Sequence, residues 1–138
     1  MVRRATGAKG GEPQLLPGWQ KNFVIGVDDC ICTTKSSGKK LSAKDVSNAK
    51  VVKGAKEWVN KLYDEGHNIC FFTPRGERLR KATEAWLKKE GFKYHSLVMG
   101  KPEALQYHYI DDRHVQATTF RGKFAPLVKK EHTIQVFG

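Results

Sequence analysis

The apolar and polar positions divide the chain into short strand-like runs and two longer helical ones. Phe23–Val27 is a brief, β-branched apolar run and predicts a buried strand. Residues 33–48, TTKSSGKKLSAKDVSN, are polar and rich in turn formers, and predict a loop or flap. Helical spacing follows over residues 50–65. Val51, Ala55, Trp58, Val59 and Leu62 share one face there, with Lys56, Glu57, Lys61 and Asp64 opposite. Gly66 stands where a helix would stop. Ile69–Phe72 reads as a second buried strand. Residues 77–90, ERLRKATEAWLKKE, read as a second helix that turns Leu79, Ala82, Trp86 and Leu87 inward and closes at Gly91. His95–Met99, the YHYI of residues 107–110, and Thr133–Phe137 predict three further strands.

This β-α-β-α-β-β order predicts an α/β fold, with a Rossmann-like, open, mostly parallel sheet flanked by helices. Residues 1–21 carry Gly7, Gly10, Gly11, Pro13 and Pro17 without periodicity and predict a basic, irregular arm. Residues 22–138 predict one domain, and 138 residues suffice for one core. No repeats occur. No stretch nears the roughly 20 apolar residues of a membrane span, so no membrane insertion is expected. The opening MVRRATGAKG lacks the apolar core of a secretory signal, and its arginines without acids are compatible with an organellar address.

The net charge is +11, and its placement is informative. Residues 1–21 contribute +3, residues 35–53 contribute +5 and residues 121–132 contribute +3, while the rest of the chain is balanced. A charge run is commonly only a solvated face. A neutral body with basic tails and loops, however, also suits a phosphate-rich partner such as RNA. The candidate polyanion contacts are Arg3, Arg4, Lys35, Lys39, Lys40, Lys44, Lys129 and Lys130. Cys30, Cys32 and Cys70 have no zinc-ligand spacing. Cys30 and Cys32 share a face of an extended strand without meeting, so reduced thiols in the cytoplasm or an organellar matrix such as the mitochondrion are expected.

In open α/β sheets, ligands bind at the C-terminal ends of the strands. Here those ends carry Asp28-Asp29-Cys30, Thr73-Pro74-Arg75-Gly76, Gly100-Lys101-Pro102 and Asp111-Asp112-Arg113. Carboxylates, a hydroxyl and a lysine on one rim are the equipment of Mg²⁺-assisted phosphoryl transfer. The series FFTPRGE, MGKP and YHYIDDR, with GAKEWVNKLYDEGH before it, resembles the haloacid-dehalogenase-like phosphohydrolase superfamily, closest to its small, capless members. The resemblance spans roughly residues 22–122, with its motifs in order.

The resemblance implies Mg²⁺, an Asp nucleophile on the first strand and a second Asp two residues later as general acid and base. The family pattern is D-x-D-G-T. The gapless match places Gly26 at the nucleophile, Asp28 at the general acid, Asp29 at the glycine and Cys30 at the threonine. A shift by two makes Asp28 the nucleophile but puts Cys30 at the acid. Neither register supplies both carboxylates, and the gapless one is preferred. Thr73 then matches the phosphate-binding hydroxyl, Lys101 the phosphoryl-stabilising lysine, and Asp111 and Asp112 the metal-binding acids, with Asp28 completing that set if a metal is bound.

Each of these has a plainer role: Thr73 as a strand cap, Lys101 as a surface base, Asp111 as a partner of Arg113. The expected function is therefore a catalytically inactive, phosphatase-like component of a larger assembly, contacting RNA as in an organellar ribosome and requiring no cofactor. The alternative is a Mg²⁺-dependent phosphomonoesterase using Asp28 as an atypical nucleophile. A regulatory pseudoenzyme that still holds Mg²⁺ or phosphate is compatible with the first. His67, His95, His108, His114 and His132 show no metal spacing, and His95 is expected to be structural.

Overall fold

The computed structural model describes residues 15–124 and the backbone of His132 and Thr133. Strand β1 (Asn22–Ile25) leads through β2 (Cys32–Thr33), α1 (Ala43–Ser47) and β3 (Lys50–Val51) to α2 (Ala55–Asp64). Strand β4 (Asn68–Phe72), a short 3-10 turn (Glu77–Leu79), α3 (Arg80–Lys89) and β5 (Ser96–Val98) follow, and β6 (Gln116–Ala117) pairs with β7 (His132–Thr133). The main sheet is parallel, in the order β1-β4-β5. The result is a mixed α/β fold with a small parallel sheet and flanking helices.

The two faces of that sheet differ. Ile25 is in register with Phe71, and Phe71 with Leu97; this face is buried. Phe23 meets Trp58 of α2 edge-on, and Phe71 meets Phe92, which stacks on Trp86 of α3, so both helices cover it. Val24 pairs with Cys70, and Phe72 with Val98, on the opposite face. There Val24 is 55% and Val98 42% exposed.

The region expected to be a loop is folded. Ser42 caps α1 through a capping box: its Oγ accepts from Asp45 N at 3.1 Å, and Asp45 Oδ2 accepts from Ser42 N at 2.9 Å. Cys32 pairs antiparallel with Val51, and Thr33 with Lys50. Trp86 Nε1 donates to Ala49 O at 3.0 Å and fastens this insert to α3.

The first long helix is shorter than its apolar spacing predicts. Lys50–Val51 belong to β3, and α2 begins only at Ala55. Gly54, with φ +85°, takes a left-handed turn that a helix cannot continue through. At the other end, Gly66 has φ +96° and lies under Trp19 and Gln20; an added Cβ there would meet Gln20 Nε2 at 2.6 Å. His67 N donates to Leu62 O at 3.1 Å, completing the C-terminal stop. Trp19 packs edge-on against His67, so the chain entering the domain is held on its body.

The fourth expected strand is not formed. Residues 107–110 have no ladder, and Tyr107, Tyr109 and Ile110 are 55%, 56% and 79% exposed. The tyrosines bond locally instead: Tyr107 OH donates to Pro102 O at 2.7 Å and Tyr109 OH to Asp111 Oδ2 at 2.7 Å. Of the strand expected at Thr133–Phe137, Thr133 lies in β7 and residues 134–137 fall outside the described residues.

Candidate functional site

Strands β1 and β4 run side by side with Ile25 opposite Phe71, so the segments that leave them meet at the same end of the sheet. After Val27 the chain turns tightly. Val27 O accepts from the amides of Cys30, Ile31 and Cys32, and Asp29 N donates to Cys32 O. Asp29 has φ +60°, a conformation that glycine favours and Asp tolerates. Gly26 does not need to be glycine on steric grounds: a Cβ there would lie 3.6 Å from Cys30 Cβ, an ordinary contact.

The turn delivers Asp28 to Arg75. Arg75 Nη2 reaches Asp28 Oδ1 at 2.7 Å, and Nε reaches Oδ2 at 3.0 Å, a bidentate pair. Thr34 Oγ1 donates to Asp28 Oδ1 at 2.8 Å. The guanidinium also donates to Thr34 Oγ1 at 3.2 Å and, through Nη1, to Thr83 Oγ1 at 3.0 Å. The Arg75 side chain is 3% exposed and that of Asp28 is 32% exposed. A buried guanidinium without a counter-charge would be costly, so Asp28 is the anion that makes Arg75 tolerable there. Arg75 was not singled out from sequence. The signal for it was its place three residues past the end of β4, matching Asp28 three past the end of β1.

The other candidate residues are arranged otherwise. Thr73 is fully buried, and its Oγ1 accepts from Arg75 N at 3.2 Å. Lys101 N donates to Thr73 O at 3.0 Å, but its ammonium lies over the rings of Tyr107 and Phe72, with Nζ 4.0 Å and 5.4 Å from their centroids. Asp111 and Asp112 sit in the exposed segment after Ile110, with Asp111 accepting from Tyr109 OH and from Arg113 N. The Tyr109 hydroxyl, foremost, holds the Asp111 carboxyl down to about 2. His95 is buried, its Nδ1 accepts from Ile69 N at 3.0 Å, and its ring stacks on Tyr63.

Among the described residues these positions are not gathered into a Mg²⁺ centre. Both Asp28 oxygens are committed to Arg75, and among the described residues no group of three His, Cys, Asp or Glu side chains is placed to hold a metal ion. Two of the thiols are shifted away from the thiolate form. Burial pushes Cys30 up to about 11, and burial likewise raises Cys32, whose Sγ contacts Asp28 and Arg75 at 3.8 Å. All three cysteines are free.

Lys35, Lys39, Lys40 and Lys44 are exposed and make no ion pair among the described residues. Arg3, Arg4, Lys129 and Lys130 lie outside the described residues. No helix of the described residues is long and apolar enough to cross a membrane. No protein-family model matches the chain, and no curated protein or solved structure matches it either.

Proposed function

We propose that this chain is a catalytically inactive, phosphatase-like domain serving as a structural or binding component of a ribonucleoprotein assembly, with basic loops against RNA. The observation that carries the loss of catalysis is the bidentate Asp28–Arg75 pair. Phosphoryl transfer through an aspartyl intermediate needs one free carboxylate as nucleophile and a second as acid. Position 26 has no carboxylate, and the carboxylate at 28 is spent on a buried arginine. Kinship with the haloacid-dehalogenase-like enzymes is supported by the left-handed Asp29, which stands where their first motif has glycine.

Two surfaces support the binding role. Parallel sheets are ordinarily covered on both faces, yet Val24 and Val98 are open here. Leu105 and Ile110 are exposed as well. Apolar surface of this kind suits a domain that packs on a protein neighbour. The lysines of residues 35–44 face solvent without an ion pair among the described residues and suit phosphate. The free thiols suit a reducing compartment, cytoplasmic or organellar.

Binding to labelled RNA tests the polyanion role. Affinity is expected to fall with salt and to drop when Lys35, Lys39, Lys40 and Lys44 are all replaced by Ala. Unchanged affinity in that variant would remove the loop from the interface.

A further inference from the structure

Lys35 and Lys50 do not sit on a featureless basic surface. A cavity of about 270 Å³ opens between the β2–β3 pair and α1, lined by Thr33, Lys35, Asp45, Asn48 and Lys50. Its walls are fixed. Thr33 is paired with Lys50 across the two strands, α1 is locked by its capping box, and Ala49 is tied to Trp86. Thr33, Lys35, Asn48 and Lys50 are exposed at its mouth. Among the described residues, neither lysine has an ion-pair partner, and the Thr33 hydroxyl and Asn48 amide have no hydrogen-bond partner.

The one acid in the lining, Asp45, forms no ion pair with either lysine among the described residues, and the lining keeps a net charge of +1. Asp45 is buried, and its Oδ2 already accepts from Ser42 N at 2.9 Å and from Ser37 N at 3.2 Å. Two lysines, a threonine and an asparagine thus line one small cavity, with no ion pair or side-chain hydrogen bond to spend their donors among the described residues. The volume lies at the small end of ligand pockets and accommodates a single phosphate with its sugar.

We infer that this cavity is a phosphodiester-binding site, in which Lys35 and Lys50 grip one backbone phosphate of an RNA strand and Thr33 and Asn48 donate to its oxygens. The site deepens, and rests on, the polyanion-binding role proposed above. It adds Lys50, Thr33 and Asn48, which the charge pattern alone did not select, and it separates Lys35 from its neighbours Lys39 and Lys40 as the lysine of the loop that lines a cavity.

The test is the salt dependence of binding to a labelled single-stranded RNA, for the full chain and two double variants. Each phosphate contact contributes about 0.7 to the slope of log affinity against log salt for single strands. Lys35→Gln with Lys50→Gln is expected to flatten that slope by about 0.7, the one phosphate contact the two lysines share. Lys61→Gln with Lys88→Gln, which removes equal charge from exposed positions of α2 and α3, is expected to leave it nearly unchanged. If the wild type binds RNA but both variants flatten the slope equally, or neither does, the cavity is not the site while the broader role stands. If the wild type binds no RNA, that role fails and this site with it. Amide shifts of Thr33, Lys35, Asn48 and Lys50 on RNA addition are also expected. The same shifts with inorganic phosphate, not displaced by RNA, would assign the cavity to a free anion and overturn the backbone contact.

Discussion

At the scale of residues, Arg75 decides what Asp28 is for. Truncating Arg75 to Ala removes the partner of a half-buried carboxylate, and Asp28→Asn leaves a guanidinium in the interior without its anion. Each is expected to destabilise the fold by about 3 kcal/mol in urea denaturation. An unchanged midpoint would mean that the pair is not structural. A calorimetric titration with Mg²⁺ is expected to show no saturable heat, because Asp28 is committed and Asp111 is held by Tyr109 on the exposed segment. The thiols of Cys30 and Cys32 are expected to alkylate slowly at pH 8 in the native protein and rapidly in urea. Rapid native labelling would contradict the burial that raises them.

The sequence pointed to Asp28, because a strand-end carboxylate is a local feature, and to position 26 only through the resemblance to a family motif. It did not point to Arg75, because a contact across 47 positions depends on strands β1 and β4 lying side by side. It also suggested a metal role for Asp111 and Asp112. That suggestion placed them at the end of a strand over residues 107–110, which does not form; the tyrosines there bond to nearby backbone and side chains.

At the scale of elements, the helices were legible from their apolar period, with Ala55 and Val59 of α2 and Trp86 and Leu87 of α3 all buried. Their starts were less so, since Gly54 and the 3-10 turn at Glu77 are set by backbone geometry that the period does not register. Helix α1 was hidden in a polar stretch, although Ser42-x-x-Asp45 is a capping-box pattern. Ser42→Ala is expected to cost about 1 kcal/mol. The capping acid also makes stability depend on pH. The Ser42 backbone amide, foremost, and Ser37 hold the Asp45 carboxyl down from 3.8 to about 2. Its folded value lies below its unfolded one, so its contribution is complete above 3.8 and is lost as pH falls through about 2. The stability gap between wild type and Asp45→Ala should close over that window. A gap that persists at lower pH would show that the charge is not what caps the helix.

At the scale of the whole molecule, the sheet is asymmetric, and substitutions should register it. Phe71→Ala, on the face covered by the helices, is expected to cost about 4 kcal/mol. Val24→Glu, on the open face, is expected to change the stability of the isolated chain by less than about 0.5 kcal/mol. A large loss from Val24→Glu would mean that this face is covered within the single chain. The basic segments and the balanced body were visible in the sequence, but the bare face was not, because an apolar run does not reveal which of its sides a helix will cover.

The proposed loss of catalysis is tested most directly by incubating the purified chain with Mg²⁺ and a generic phosphomonoester. No phosphate release above the protein-free control is expected, and Asp28→Asn should behave as the wild type does. Turnover by the wild type would contradict the loss of catalysis, and its disappearance in an Asp28→Asn sample shown by circular dichroism to be folded would make Asp28 a working nucleophile.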